Sequence, residues 1–180
     1  MPGRAARRWR TGLAITGTVL VVLAVVAVAL WLTVLPRALA NLSSERAAPG
    51  TFVTLRAGAG TATIAVPDGW IVQHPPFQDD TVLLLTPDAV LEATVSLRPA
   101  APDAALAALV ADLDLDAVVR ETLSDGLSIA HAESATTLVA AAGRDGGAPA
   151  IGVVARVSTG SVDAYRAAIA QLIDGMRITS

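Results

Sequence analysis

The two histidines are the first candidates for a catalytic general base, because the chain has no other imidazole side chain. His74 and His131 are the only histidines, and the chain has no cysteine. A zinc site would need both histidines with carboxylates, and they do not have a ligand spacing on one helix. A serine hydrolase would need one as its base, yet no Gly-x-Ser-x-Gly turn surrounds any serine. The sequence therefore predicts no metal, no cofactor and no catalytic residue.

A run of alternating aspartates, Asp112-Leu113-Asp114-Leu115-Asp116, resembles the start of a calcium-binding EF-hand loop. Such a loop has glycine at its sixth position and glutamate at its twelfth, whereas this chain has Ala117 and Leu123 there. The intervening leucines favour burial in a core. The run is therefore interpreted as helix caps and a solvated face between two helical segments.

The segment from Trp70 to Asp80 is the best candidate for a partner-binding surface. It brings two of the four aromatic residues beyond position 50 together with a histidine and two acids, in a loop of the kind that often carries function. The residues assigned to this surface are Trp70, His74, Phe77, Asp79 and Asp80. The alternative, which the usual role of large aromatics favours, is that Trp70 and Phe77 cover one end of the core.

Charge divides the chain into two parts. Residues 1–46 hold six arginines and one glutamate, whereas residues 47–180 hold seven arginines and 15 acids. An acidic domain lacks the positive surface of a nucleic-acid-binding protein, so no nucleic-acid partner is expected. The basic N-terminal part suits the anionic cytoplasmic face of a bilayer.

The segment 13–35 is predicted to be a transmembrane helix. It has 23 residues and no charge, and at 1.5 Å per residue a helix of roughly 34 Å crosses the hydrocarbon core. Arginines concentrated before the segment place the N-terminus in the cytoplasm and the C-terminal domain outside the membrane. The predicted membrane-interface residues are Arg7, Arg8, Trp9, Arg10, Trp31 and Arg37.

The alternative to an anchor is a cleavable signal peptide. Ala38-Leu39-Ala40 has the small residues of a signal-peptidase site, and a cut after Ala40 would release the domain. The apolar segment is longer than the usual 7–15-residue signal core, and Pro36 and Arg37 separate it from the site. An uncleaved anchor is therefore predicted.

The remaining chain is predicted to be one α+β domain. The expected organisation is a cytoplasmic tail at 1–12, the span at 13–35, a juxtamembrane linker at 36–50 and an extracytoplasmic domain at 51–180. Period-two segments predict antiparallel strands, and helical periodicity predicts helices near 103–124 and 161–174. The second helix is followed by a short strand around Met176 and Ile178.

The order of these elements resembles the PsbP-like superfamily. The resemblance lies in the "VPDGW" turn at 66–70, the strand pair "TVLLLTPDAVLEATVSL", the central helix and the closing "DAYRAAIAQLIDGMRI". It implies a sandwich of antiparallel sheet and helices, in a superfamily that includes small actinobacterial envelope proteins acting as non-catalytic binding or assembly modules. The arginine-rich, lysine-free composition is also typical of a GC-rich bacterial genome.

The sequence thus predicts a single-pass membrane protein whose non-catalytic extracytoplasmic domain binds or positions an envelope partner. Its expected partners are the lipid bilayer and an envelope protein or small ligand. Two alternatives stay open. The first is a secreted ligand carrier released after Ala40, which needs a deep apolar pocket. The second is an envelope hydrolase, which needs polar groups converging on His74 or His131 in a closed cleft.

Overall fold

The computed structural model describes residues 44–58, 60–122 and 126–179. All of them belong to a compact unit spanning Ser43–Ser180. Within these ranges no helix has the length and apolarity needed to span a membrane. The predicted span at 13–35, the membrane-interface residues from Arg7 to Arg37 and the sequence around Ala40 lie outside the described residues.

The described residues fold mainly into antiparallel sheet with two helices. The strands are β1 (Ser44–Arg46), β2 (Phe52–Ala57), β3 (Gly60–Ala65), β4 (Ile71–Gln73), β5 (Thr81–Leu85), β6 (Leu91–Arg98), β7 (Val119–Thr122), β8 (Ser128–Glu133), β9 (Thr137–Gly143), β10 (Ala150–Val157) and β11 (Met176–Thr179). The helices are α1 (Pro102–Val110) and α2 (Arg166–Asp174), and a 3-10 turn at Val162–Tyr165 leads into α2. This architecture confirms the predicted α+β class.

The strands form two sheets. The large sheet has the order β1-β4-β5-β6-β10-β9-β8-β7, and the small sheet has the order β11-β3-β2. At the centre of the large sheet β6 and β10 pair over eight residues, from Ala150 opposite Arg98 to Val157 opposite Leu91. At its far end β7 pairs with β8 alone, with Val119 opposite His131.

The main core lies between one face of the large sheet and a cover made by the small sheet and α2. Alternation along β6 turns Ala93, Val95 and Leu97 toward this core, because successive side chains of a strand point to opposite faces. From α2, Ile169 and Leu172 pack against the same cluster. The period-two pattern of this segment therefore corresponds to one buried face of an antiparallel strand.

On the opposite face of the large sheet, α1 packs across β8, β9 and β10. Ala105 and Leu106 of the helix contact a second apolar cluster that includes Val139 and Ala141. The helix lies so close to the sheet that a Cβ added at Gly152 would come within 2.8 Å of the Leu109 side chain. Small residues in β9 and β10 therefore allow α1 to approach.

The helix predicted near 103–124 is wrong in its second half. The helix ends at Val110, and Val119–Thr122 is the strand β7. Aspartates favour turns over helix interiors, and Val118 and Val119 are β-branched residues that favour strands. In the aspartate run, Leu113 and Leu115 are half-buried while all three aspartates are exposed. The predicted solvated face is present, but on irregular chain outside any helix.

The folded unit also begins before the boundary expected at Thr51. β1, within the predicted linker at 36–50, pairs with β4 with Glu45 opposite Val72. Ala47 is buried and its N–H donates to the Trp70 carbonyl at 2.7 Å. Polar side chains hide this strand from sequence analysis, because its stability comes from backbone pairing with β4.

The C-terminal prediction is confirmed. The helix predicted at 161–174 is present as the 3-10 turn followed by α2, and Gly175 separates it from β11. Ser161 precedes the turn but makes no side-chain capping hydrogen bond. β11 pairs antiparallel with β3, with Met176 opposite Ile64, so the end of the chain completes the small sheet.

Candidate functional site

An open cleft of about 300 Å³ lies between α2 and the end of the large sheet. Apolar side chains from both elements line most of it: Ile129, Leu138, Ile169, Ala170 and Ile173. Ile129 of β8 and Leu138 of β9 belong to the main core, whereas no residue of β7 does, so β7 is the strand that lies beyond the covered part of this face. Ile129, Leu138, Ile169 and Ile173 are each at most 9% exposed, so the apolar floor of the cleft is shallow, and Ala170 is its exposed apolar residue.

The strand β7 forms the outer edge of the sheet beside this cleft. All four of its residues are exposed, and it is hydrogen-bonded to β8 on one side only. Val118 and Val119 are 40% and 47% exposed. An edge strand with apolar side chains is a template for pairing with another chain unless it is covered or charged.

Polar groups stand at the rim of the cleft. His131 Nε2 lies 3.8 Å from the Glu121 carboxylate, across the pairing of β8 with β7. The His131 Nδ1 atom is buried and makes no hydrogen bond with any described group. Asp174, at the end of α2, is the other carboxylate that lines the cleft.

Arg166, at the first position of α2, lines the cleft and donates hydrogen bonds to two carboxylates. Its Nη2 donates to Glu133 at 2.9 Å and to Asp163 at 2.8 Å. These two carboxylates raise the pKa of the Arg166 guanidinium, which is charged at any physiological pH. The positive charge of Arg166 is therefore already engaged by two negative groups.

On the opposite face of β7, Arg120 is also engaged. Its guanidinium lies 3.0 Å from the Asp103 carboxylate of α1, and both residues line a second, more polar depression of about 270 Å³. Arg120 and Glu121 therefore point to opposite faces of the sheet. The Glu121 side chain lies on the face that carries the apolar cleft.

The predicted partner-binding residues are only partly brought together. Trp70 is 4% exposed and belongs to the main core, so its assignment to a binding surface is corrected in favour of the burial alternative. Phe77 is fully exposed in a turn with φ of 64°, so it covers no part of the core. His74 and Asp79 are exposed in the same loop and Asp80 is half-buried.

The loop from His74 to Asp80 is tied to both sheets by its backbone. The Arg56 N–H of β2 donates to the Asp79 carbonyl at 2.8 Å, and the Leu97 N–H of β6 donates to the Asp80 carbonyl at the same distance. The acids at the end of this loop therefore have a structural role through their backbone. Partner binding by His74, Phe77, Asp79 and Asp80 stays a prediction.

Sequence analysis missed the cleft because it assigned β7 to a helix. With residues 119–122 helical, neither the pairing of Val119 with His131 nor the sheet edge could be anticipated. The adjacent valines Val118 and Val119, followed by alternating charge, were the available signal for an exposed strand. His131, for which the sequence predicts no catalytic or metal-binding role, is a half-buried residue of β8.

No protein-family model matches the chain, and no curated protein matches it at a significant level. Among the described residues, no group of three or more His, Asp or Glu side chains is arranged to hold a metal ion. The function of the cleft is therefore argued from its own contacts and charges.

Proposed function

We propose that this chain is a single-pass membrane protein whose non-catalytic extracytoplasmic domain binds or positions an envelope partner. The binding site in this proposal is the cleft between α2 and β8 together with the edge strand β7. The observation that carries the proposal is the apolar lining of an open cleft directly beside an uncovered strand. Such a combination of exposed apolar surface and polar rim is typical of interaction sites.

The composition of the cleft favours a partner over a structural role. Ile129, Ile169 and Ile173 contribute to the main core from one side and line the cleft from the other. These isoleucines are at most 9% exposed, so the apolar surface left in water is small, and each Å² of it costs roughly 25 cal/mol. A partner that covers the cleft recovers this free energy.

The membrane anchor in the proposal is supported by the sequence. The uncharged segment 13–35 follows four arginines within the first ten residues, which favours a cytoplasmic N-terminus and an extracytoplasmic domain. The PsbP-like assignment is supported by the alternation of antiparallel strands with a central and a C-terminal helix. Both belong to the proposal, as does its location in the cell membrane.

Site-specific photocrosslinking in intact cells of the native host tests the proposed site. A photoreactive amino acid at Ala170, which lines the cleft, should give a discrete adduct of the full-length chain with one envelope protein. The control position is Gln171, also exposed on α2 but turned by about 100° around the helix. Adducts of equal yield at both positions, or at neither, would overturn the proposal.

The anchor has its own test. Asp145→Cys, in the exposed turn between β9 and β10, should react with a membrane-impermeant thiol reagent in intact protoplasts. The wild-type chain has no cysteine, so it provides the control without labelling. Full-length protein should stay in the membrane after an alkaline carbonate wash. A soluble product beginning at Asn41 would show instead that the chain is cleaved after Ala40.

A further inference from the structure

We infer that the partner presents an extended peptide segment that pairs with β7 as an additional strand, with apolar side chains in the cleft and basic residues at its ends. This inference rests on the proposed function, and it specifies the chemistry of the partner. Strand addition is a common mode of peptide recognition, in which main-chain hydrogen bonds provide affinity and pockets for alternate side chains provide specificity.

β7 differs from the other sheet edges in what surrounds it. The outer strand β2 donates its Arg56 N–H to the loop carbonyl of Asp79. On β11 the Arg177 guanidinium donates to the Met176 carbonyl at 2.6 Å. β1 is three residues long and has no apolar side chain. β7 combines an edge that no strand among the described residues covers with an exposed valine and an adjacent apolar cleft.

The strand register fixes which side chains of an added strand would reach the cleft. Val119 lies opposite His131, and Glu121 lies opposite Ile129. Because side chains alternate between the two faces of a sheet, every second residue of a strand paired with β7 would point to the face that carries Ile129. There it would lie beside Val119 and Glu121, at the side of the cleft that Glu121 lines.

The size of the cleft agrees with side chains rather than with a large ligand. A cleft of about 300 Å³ is at the lower end of the range for small-molecule sites. It is an open cleft rather than an enclosed cavity, so a chain can lie across it without entering a closed space. The occupant that fits is therefore one or two apolar side chains of a segment whose backbone stays outside.

Charge specifies the ends of the segment. Glu121 and Asp174 line the cleft, and Asp116, Glu133 and Asp163 line the depression beside it, so five carboxylates are grouped with one guanidinium, that of Arg166. Arg166 is engaged by Glu133 and Asp163, and His131 Nε2 lies 3.8 Å from Glu121, so the carboxylates around the cleft outnumber the groups that can be cationic and favour a positive partner. Complementary charge gives specificity and faster association, so lysine or arginine should flank the apolar residues.

The test uses full-length protein in mild detergent and a synthetic peptide of about nine residues, in which alternating valine and threonine are flanked by arginines. Binding of the fluorescently labelled peptide is measured by anisotropy. Ala170→Trp fills the cleft and should weaken binding by about tenfold or more, equivalent to the loss of about 1.4 kcal/mol. Gln171→Trp is the matched control and should leave the affinity within about twofold.

Two N-methylated peptides test backbone pairing itself. Each is methylated at alternate backbone nitrogens, in opposite phase, so that one loses the N–H groups that face β7 and the other loses those that face solvent. One phase should bind at least about tenfold more weakly than the parent, as expected for a few lost hydrogen bonds of about 1 kcal/mol each. Equal binding by both phases would overturn strand addition.

Charge is tested by exchanging the flanking arginines for glutamates, which should weaken binding, and by Glu121→Arg, which should reverse the preference between the two peptides. A protein that binds both peptides equally would overturn the basic character of the partner. Photocrosslinking at position 170 in cells, combined with no binding of the parent peptide, would overturn strand addition and leave the proposed function standing. Loss of both the crosslink at position 170 and the binding of the peptide would overturn strand addition and the proposed function together.

Discussion

One face of the large sheet is buried at the centre of the sheet and exposed at its far end. At the centre, Leu84, Val95 and Ile151 are at most 1% exposed beneath the small sheet and α2. At the far end, β7 is exposed along its whole length and the cleft beside it is open. The difference arises because an eight-stranded sheet is wider than its cover. Strand order, rather than composition, therefore creates the candidate site.

The largest expected effect is at the centre. Leu84→Ala should reduce the free energy of unfolding by about 2–5 kcal/mol, because it removes a fully buried side chain and leaves a cavity. Val119→Ala, at the open end, should change it by about 0.5 kcal/mol or less, because that side chain is half-exposed. Chemical denaturation of the full-length chain in detergent, followed by circular dichroism, compares the two. Equal losses would contradict the distinction between a closed centre and an open end.

A smaller effect is expected beneath α1. Gly152→Val should reduce the free energy of unfolding by about 1–3 kcal/mol, because the added side chain meets Leu109 where the helix approaches the sheet. Gly152→Ala should cost less, since the nearest atom is the end of a leucine side chain that can rotate. A valine variant as stable as wild type in the same denaturation experiment would show that α1 is not packed closely on β10.

A modest effect is expected for the ionic network at the open end. Arg166→Gln should reduce the free energy of unfolding by about 1 kcal/mol, because Arg166 and Asp163 are solvent-exposed and only Glu133 is half-buried. The loss should shrink as salt is added. Arg56→Gln on the exposed face of β2 is the matched control. A loss as large as that of Leu84→Ala would contradict the view that this end contributes little stability.

The smallest effect concerns the contact between the β5–β6 turn and the turn before α2. The Tyr165 hydroxyl donates to Asp88 Oδ2 at 2.7 Å. Hydrogen bonds from Thr86, Tyr165 and the Val90 N–H hold the pKa of Asp88 below its usual value of 3.8. The acceptor Asp88 raises the pKa of Tyr165 above 10.0.

Tyr165→Phe should therefore lower the melting temperature slightly, and only within a pH window. A lowered Asp88 pKa stabilises the fold above about pH 4, and this contribution is lost as the pH falls through the folded-state value. A raised Tyr165 pKa stabilises it below about pH 10, and this contribution is lost as the pH rises through the folded-state value. Thermal melts of both proteins from pH 3 to pH 11 check this, and a constant difference across the range would contradict it.

The elements with strong periodicity were predictable from the sequence. The inward residues of β6, the turn at Asp68-Gly69 and the C-terminal helix with Ile169 and Leu172 follow from local pattern and turn chemistry. Their burial agrees with the structure because one face of each element packs on the main core. The same patterns indicate the α+β class.

The candidate site was less predictable, because it depends on contacts between distant segments. β7 has four residues and no buried face, so periodicity gives it no signal, and the helical spacing of Leu115, Val118 and Leu123 was misleading. Trp70 and Phe77 are close in sequence, yet one is buried and the other is fully exposed. Only the pairing of β4 with β1 and β5 determines which of the two reaches the core.

Residue-resolved amide hydrogen exchange of the full-length chain, with and without the valine–threonine peptide, tests the central claim most directly. Without the peptide, the amides of β6 and β10 should exchange most slowly and those of β7 should exchange much faster, since edge and poorly buried elements open locally. With the peptide, new protection should appear at alternate residues of 119–122 while β1 and β11 stay unchanged. Protection confined instead to the loop from His74 to Asp80, or no protection at β7 with peptide bound, would contradict the assignment of the binding site to the open end of the sheet.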